Sequence, residues 1–238
     1  MLKSTVCNLL GARHGYRSYL EIATPGSGGQ HALIDRSQFA RCEQLVYADL
    51  SDAHDKAEAT YRTPLTTSWE LVRALLSSRR EHYDLVFVDS CHTYENSCED
   101  IIGAFDLVRP GGAVVVHDCN PTKPSIVSPQ VQMGEWCGVT YWAFIDFVLG
   151  RRDARYYTVD CDYGCGVIYK LRHGHAPRSV TRESATLALE WAAATGNDDG
   201  RYRFFDRNRA ALLNLWTVDE FVSREELVLL PATALQAV

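Results

Sequence analysis

The sequence predicts an α/β protein built on one open, mostly parallel sheet with helices on both faces. Short β-branched runs alternate with longer segments of helical spacing through residues 19–171. That order lays parallel strands side by side through crossover helices. One run, DLVFVD at 84–89, is apolar almost without interruption, as a strand covered on both faces must be. With 46% apolar and 23% charged residues over 238 positions, the chain can bury roughly 70% of its unfolded surface without covalent staples.

The elements follow in order. Tyr19 to Ala23 (YLEIA) reads as a strand ending in a Pro-Gly-Ser-Gly-Gly loop, and Leu45 to Asp49 (LVYAD) as a second strand ending in an acid. Trp69, Val72, Leu75 and Leu76 set a helix over Thr67 to Ser78. After the 84–89 strand, Ile101, Ile102, Phe105 and Val108 set a helix over Tyr94 to Val108. Arg109-Pro110-Gly111-Gly112 stops it and turns the chain into the strand Ala113 to His117. A helix over Val139 to Leu149 precedes two strands, Arg155 to Val159 and Gly166 to Leu171, joined across DCDYGCG in an antiparallel hairpin. Two further helices are expected near Glu183 to Ala194 and Asp206 to Trp216, with a mobile loop at Gly196 to Gly200. The expectation is a seven-stranded sheet over residues 1–172. A helical extension, 173–238, would pack on that core or on a partner subunit, which makes a homodimer one arrangement.

Several classes are excluded early. A net charge of -6 and no Lys/Arg stripe disfavour a nucleic-acid partner. Apolar runs such as Ala113 to Val116 are far short of the ~20 residues that span a bilayer. MLKSTVCNLLGARHG lacks the pattern of a signal peptide, so a cytoplasmic location is expected. The eight cysteines are dispersed without a CxxC pair and read as free thiols.

In an open parallel sheet, ligands sit beyond the carboxyl ends of the strands. Here those ends carry Glu21 and the glycine loop, then Asp49, then Asp89-Ser90-Cys91-His92, then His117-Asp118-Cys119-Asn120. Four strand ends carry acids or imidazoles, which stability alone does not require. Glycines let a backbone approach a ligand, and an acid on the next strand can accept both ribose hydroxyls. Together they suggest a nucleoside, although GxGxxG is absent and the spacing from Glu21 to Asp49 exceeds the usual ~20 residues.

Two segments carry a specific resemblance: YDLVFVDSCHTYE at Tyr83 to Glu95 and VRPGGAVVVHDCNP at Val108 to Pro121. WCGVTYWAF at Trp136 to Phe144 and VDCDYGCGVI at Val159 to Ile168 extend it. The chain resembles class I S-adenosylmethionine-dependent methyltransferases of a small-molecule branch, over most of Ser18 to Leu171. The resemblance implies a Rossmann-like fold and S-adenosylmethionine bound across Glu21, Ala23, Gly26, Gly28, Asp49, Asp89 and Ser90. Ala23 departs from the pattern, standing where the first motif glycine usually lies, and Pro25 stiffens the loop behind it.

Methyl transfer from a sulfonium requires a lone pair on the acceptor, so a hydroxyl must lose its proton to a base or to a metal. Asp89 and Asp118 fall where catechol O-methyltransferase-like enzymes hold a divalent cation, with Asn120 as a further candidate ligand. Mg²⁺ suits oxygen ligands, whereas His92 or His117 would favour Mn²⁺, Fe²⁺ or Zn²⁺. His92, Asp89 and Asp118 are the expected catalytic residues, with His92 as general base. His92, His117, Asn120 and Trp136 would meet a small-molecule acceptor, by O-methylation of a natural product or sugar-like hydroxyl.

Blander roles stand beside these. Asp89 could cap the following helix, His92 could be a loop histidine, and Asn120-Pro121 could start a turn. His117 precedes Asp118 and so should point to the opposite side of the strand, into the core. Tyr94 and Asp100 read as packing and capping, and His173 and His175 as solvated. Two other functions stay open: a methyltransferase-fold protein that binds the cofactor without transfer, and an NAD-dependent oxidoreductase.

Overall fold

The computed structural model describes residues 1–24, 30–48, 59–64, 67, 69, 72, 74, 82–172, 181–194 and 198–224. Eight strands form one sheet: β1 (Ser18–Ala23), β2 (Arg41–Tyr47), β3 (Tyr61–Thr63), β4 (Tyr83–Asp89), β5 (Val108–Val116), β6 (Ala154–Val159), β7 (Cys165–Lys170) and β8 (Leu215–Trp216). Their order is β3-β2-β1-β4-β5-β7-β6-β8. β7 alone runs antiparallel, against β5 and β6, as the DCDYGCG hairpin requires. Among the described residues the sheet therefore has eight strands rather than the expected seven. β3 and β8 are too short to show a period-2 pattern, and β8 ends a segment whose spacing reads as helix.

Alternation along the strands divides the apolar residues into two cores. Leu20, Ile22, Val86, Val88, Val114 and Val116 face one side, against α2 (Tyr94–Leu107) and α3 (Thr140–Leu149). Tyr19, Leu85, Phe87, Ala113 and Val115 face the other, against Val6, Cys7 and Leu10 of α1 (Lys3–His14). Every position of β4 is buried, as its unbroken apolar run demands. α4 (Arg182–Ala193) and α5 (Asp198–Leu213) send Trp191, Phe205, Leu212 and Leu213 into the first core. α6 (Val218–Arg224) sends Phe221 into the second.

Three local differences from the sequence reading have physical causes. Residues 198–200 begin α5 rather than a mobile loop. β5 starts at Val108, where the chain already pairs with Tyr83, and its register shifts around the Pro-Gly-Gly segment. α1 was not anticipated, because its buried stripe includes Ser4 and Gly11, which carry no apolar signal in the sequence. Trp69, Val72 and Ala74 are helical as expected; most of the remaining 67–78 segment, Asp49, Gly26, Gly28, His173 and His175 lie outside the described residues.

Candidate functional site

The strand order reverses between β1 and β4, and Ala23 pairs with Asp89 at that point. This is the position at which open α/β sheets bind ligands. Four side chains converge there. His92 Nε2 lies 3.4 Å from Asp89 Oδ1 and 3.2 Å from Asp118 Oδ2. His117 Nδ1 lies 3.3 Å and 3.2 Å from the same two oxygens, and its Nε2 faces Asp162 at 3.7 Å. Asp89 Oδ2 pairs with Lys3 Nζ at 2.7 Å. Among the described residues, Asp89, His92 and Asp118 are close enough to share one metal ion.

Backbone geometry builds this convergence. Asp118 has φ of 58°, a left-handed conformation that Asp tolerates better than most residues. It ends the strand's alternation, and this corrects the reading of His117. The histidine does not point away from Asp118 but sits against both carboxylates, 6% exposed. Its ring nitrogens have ion-pair distances but not the alignment of hydrogen bonds. Gly138, with φ of 57°, lets the chain pass over His92: a Cβ there would lie 2.1 Å from the His92 carbonyl oxygen. That oxygen accepts from Val139 N at 2.8 Å. His92 Nδ1 meets the Trp136 carbonyl at 2.8 Å, which fixes Nδ1 as the donor and leaves Nε2 facing the carboxylates.

The charges follow from this packing. Burial opposes ionisation of Asp89, yet His117, His92 and Lys3 outweigh it and hold the carboxyl well below its usual range. Burial likewise lowers His92 and His117, but the facing carboxylates raise both above the ordinary histidine value. A nitrogen lone pair and two carboxylate oxygens at these distances repel one another unless a cation lies between them. A proton or a metal ion fits the same place. The donor set of two oxygens and one or two imidazoles suits Mn²⁺, Fe²⁺ or Zn²⁺ better than Mg²⁺.

The other expected site residues are placed as follows. Asn120 is hydrogen-bonded on both amide atoms: its Nδ2 donates to Asp160 at 2.9 Å and its Oδ1 accepts from Arg209 at 2.9 Å. Both of its amide atoms are thus engaged by protein partners. Ser90 Oγ donates to Asp100, which also accepts from Tyr47 at 2.8 Å and Trp69 at 3.0 Å. Asp100 is therefore a buried hub rather than a cap, and burial pushes its carboxyl up to about 6. Asp89 does not cap α2, whose N-cap is Thr93. Trp136 lies beside the His92 ring at 5.1 Å and donates its Nε1 to Ser128 O. Glu21, 1% exposed, accepts from Tyr19 and Gln44 and faces His31 at 3.5 Å. All eight cysteines are free thiols. Sequence reasoning missed Lys3, His31, Asp162 and Arg209, which reach the strand ends from other elements.

Residues 4–119, just under half of the chain, match a family model described as a methyltransferase domain. The match begins in α1 and ends one residue after Asp118, so it takes in β1, β4, β5 and the whole Asp89–His92–Asp118 group. A search of curated proteins finds no match. Among solved structures, an O-methyltransferase from Bacillus cereus in complex with SAH superposes with a TM-score of 0.51 at 14% identity, covering 71% of this chain and 80% of that one. A protein assigned as an O-methyltransferase from Klebsiella pneumoniae gives 0.50 at 18% identity, over 71% and 79% of the two chains. One assigned as a caffeoyl-CoA O-methyltransferase from Staphylococcus aureus gives 0.50 at 13% identity, over 71% and 83%. These likenesses show a shared fold. No helix among the described residues is long and apolar enough to cross a membrane.

Proposed function

We propose that the protein transfers a methyl group from S-adenosylmethionine to a hydroxyl of a small molecule, assisted by a divalent cation at Asp89, His92 and Asp118. The observation that carries this is the convergence of His92 Nε2 on two carboxylate oxygens at the carboxyl ends of β4 and β5. It lies inside the methyltransferase domain and beside the sheet's switch point. The fold shared with a protein crystallised with SAH supports the choice of cofactor.

S-adenosylmethionine supplies an electrophilic methyl on a sulfonium, and the chain must bind and orient it. Ala23 and Asp89 are register partners flanking the switch point, so the carboxyl ends of β1 and β4 line the crevice. Gly26 and Gly28 are proposed for close backbone approach, and Asp49 for the ribose hydroxyls. Glu21 acts from beneath: with its carboxylate engaged by Tyr19 and Gln44, it shapes the floor. Ser90, committed to Asp100, contributes through its backbone.

A divalent cation would lower the pKa of the acceptor hydroxyl. His92 Nε2, Asp89 Oδ1 and Asp118 Oδ2 would hold it. Without it, His92 is placed to take the acceptor proton itself, with Asp118 stabilising the imidazolium. Trp136, at the mouth beside His92, offers an apolar or sugar-stacking surface. Asn120, tied to Arg209 of α5, joins the extension that begins at residue 173 to the methyltransferase core of 1–172.

The test is a product screen by mass spectrometry for acceptors that gain one methylene, run in chelator and with Mn²⁺ or Mg²⁺ restored. Turnover restored by metal supports the full proposal. Turnover unaffected by chelator leaves His92 as the base. No methylated product, with the cofactor bound, would favour a protein that binds without transfer.

A further inference from the structure

Lys3 is the one cation in the cluster that cannot be a metal ligand. Its Nζ lies 2.7 Å from Asp89 Oδ2, the oxygen not facing the histidines. Both side chains are largely buried, at 18% and 5% exposed. Its backbone N–H donates to Asp162 Oδ2 at 3.2 Å. This matters because α1 has no side-chain cap of its own. Asp162 supplies one from the β6–β7 turn and satisfies an orphan donor at the helix's positive end. Val6, Cys7 and Leu10 fix the rest of α1 in the second core. The first turn is thus locked onto the strand ends at two carboxylates, Asp89 and Asp162.

Like charges facing one carboxylate compete for it. An ammonium on Oδ2 withdraws charge density from Asp89 and repels a dication on Oδ1 across a mostly dry space. We infer that Lys3 is the built-in counter-ion of this site: it holds Asp89, weakens the Asp89–His92–Asp118 group's grip on a divalent cation, and ties cation occupancy to docking of α1. The inference rests on the cation reading proposed above. Beside the imidazoles, the Lys3 ammonium offsets the charge of two buried acids, Asp89 and Asp118, which sit together with the half-buried Asp162.

The experiment is Mn²⁺ binding, followed by the electron paramagnetic resonance of the free ion, in metal-stripped protein at low ionic strength. Wild type is compared with Lys3→Met, Lys3→Gln, Lys3→Arg and the double variant Lys3→Met/Asp118→Asn, each checked for folding by circular dichroism. The two neutral variants should bind one Mn²⁺ on the order of tenfold more tightly than wild type. Lys3→Arg should match wild type, because it keeps the charge, and the double variant should lose the gain. A merely structural lysine would give weaker or unchanged binding in the neutral variants. Equal affinity in wild type and Lys3→Met would overturn the inference and leave the cation reading intact. No binding in any variant at millimolar Mn²⁺ would overturn both.

Discussion

His92 Nε2 stands 3.2 Å from Asp118 Oδ2, held there by the bond between His92 Nδ1 and the Trp136 carbonyl. The pair couples a fixed tautomer to a carboxylate in a left-handed backbone conformation. Asn tolerates that conformation about as well as Asp, so Asp118→Asn should keep the fold and lose only the charge. Methyl transfer should fall by about two powers of ten or more, the usual contribution of a positioned acid–base or ligand group. His92→Ala should fall comparably, and the double variant little further, because the two act as a unit. Steady-state kinetics beside thermal melts of each variant checks this; full additivity of the two losses would separate them.

Gly138 governs the same histidine from the backbone. An added Cβ would meet the His92 carbonyl at 2.1 Å and also force an L-residue to φ of 57°. Gly138→Ala should cost about 2–4 kcal/mol of stability. It should lower turnover more than cofactor affinity, since the added Cβ meets His92. Denaturant unfolding and a calorimetric titration with S-adenosylhomocysteine measure the two effects separately.

A pH dependence of stability is expected from His31. Burial lowers its pKa, but Cys42 and Glu21 raise it to about 9, above an unfolded value of about 6.5. The raised value means that the imidazolium stabilises the fold fully below pH ~6.5, and that this contribution is lost as pH rises through about 9. Melting temperatures of wild type and His31→Phe should therefore differ most near pH 6 and converge near pH 10. A gap that widens with pH would show His31 to be neutral in the folded state.

Asp100 accepts from Ser90, Tyr47 and Trp69. Asp100→Ala leaves three buried donors unpaired and should cost about 3–5 kcal/mol, since each such donor costs roughly 1–3 kcal/mol and some will relax toward water. Asp100→Asn should cost less, because an amide oxygen still accepts. Urea unfolding with an unchanged m-value is the check; a loss below 1 kcal/mol would remove Asp100 as a hub.

The parts of this site legible in the sequence are those written by periodicity. Asp89 closes an apolar run that can only be a doubly covered strand, and Asp118 follows the next one, so their meeting at adjacent strand ends follows from the fold class. The parts that were not legible depend on distant pairing. Lys3 and Asp162 reach the cluster from α1 and the β6–β7 turn. Arg209 reaches Asn120 from α5. Alternation failed at His117 for a local reason: it assumes an extended backbone one residue further, and Asp118 has already left it. β8 was hidden because a two-residue strand carries no pattern at all.

The most direct measurement is a calorimetric titration of the purified protein with S-adenosylhomocysteine, in wild type, Asp49→Ala and Asp118→Asn. Wild type should bind one equivalent saturably. Asp49→Ala should weaken binding by one to a few powers of ten, through loss of charge-assisted bonds of roughly 1.5–3 kcal/mol each. Asp118→Asn should bind nearly as wild type does, since its role is toward the acceptor. A folded wild-type protein that gives neither heat nor a melting shift at millimolar S-adenosylhomocysteine would contradict the proposed methyl transfer.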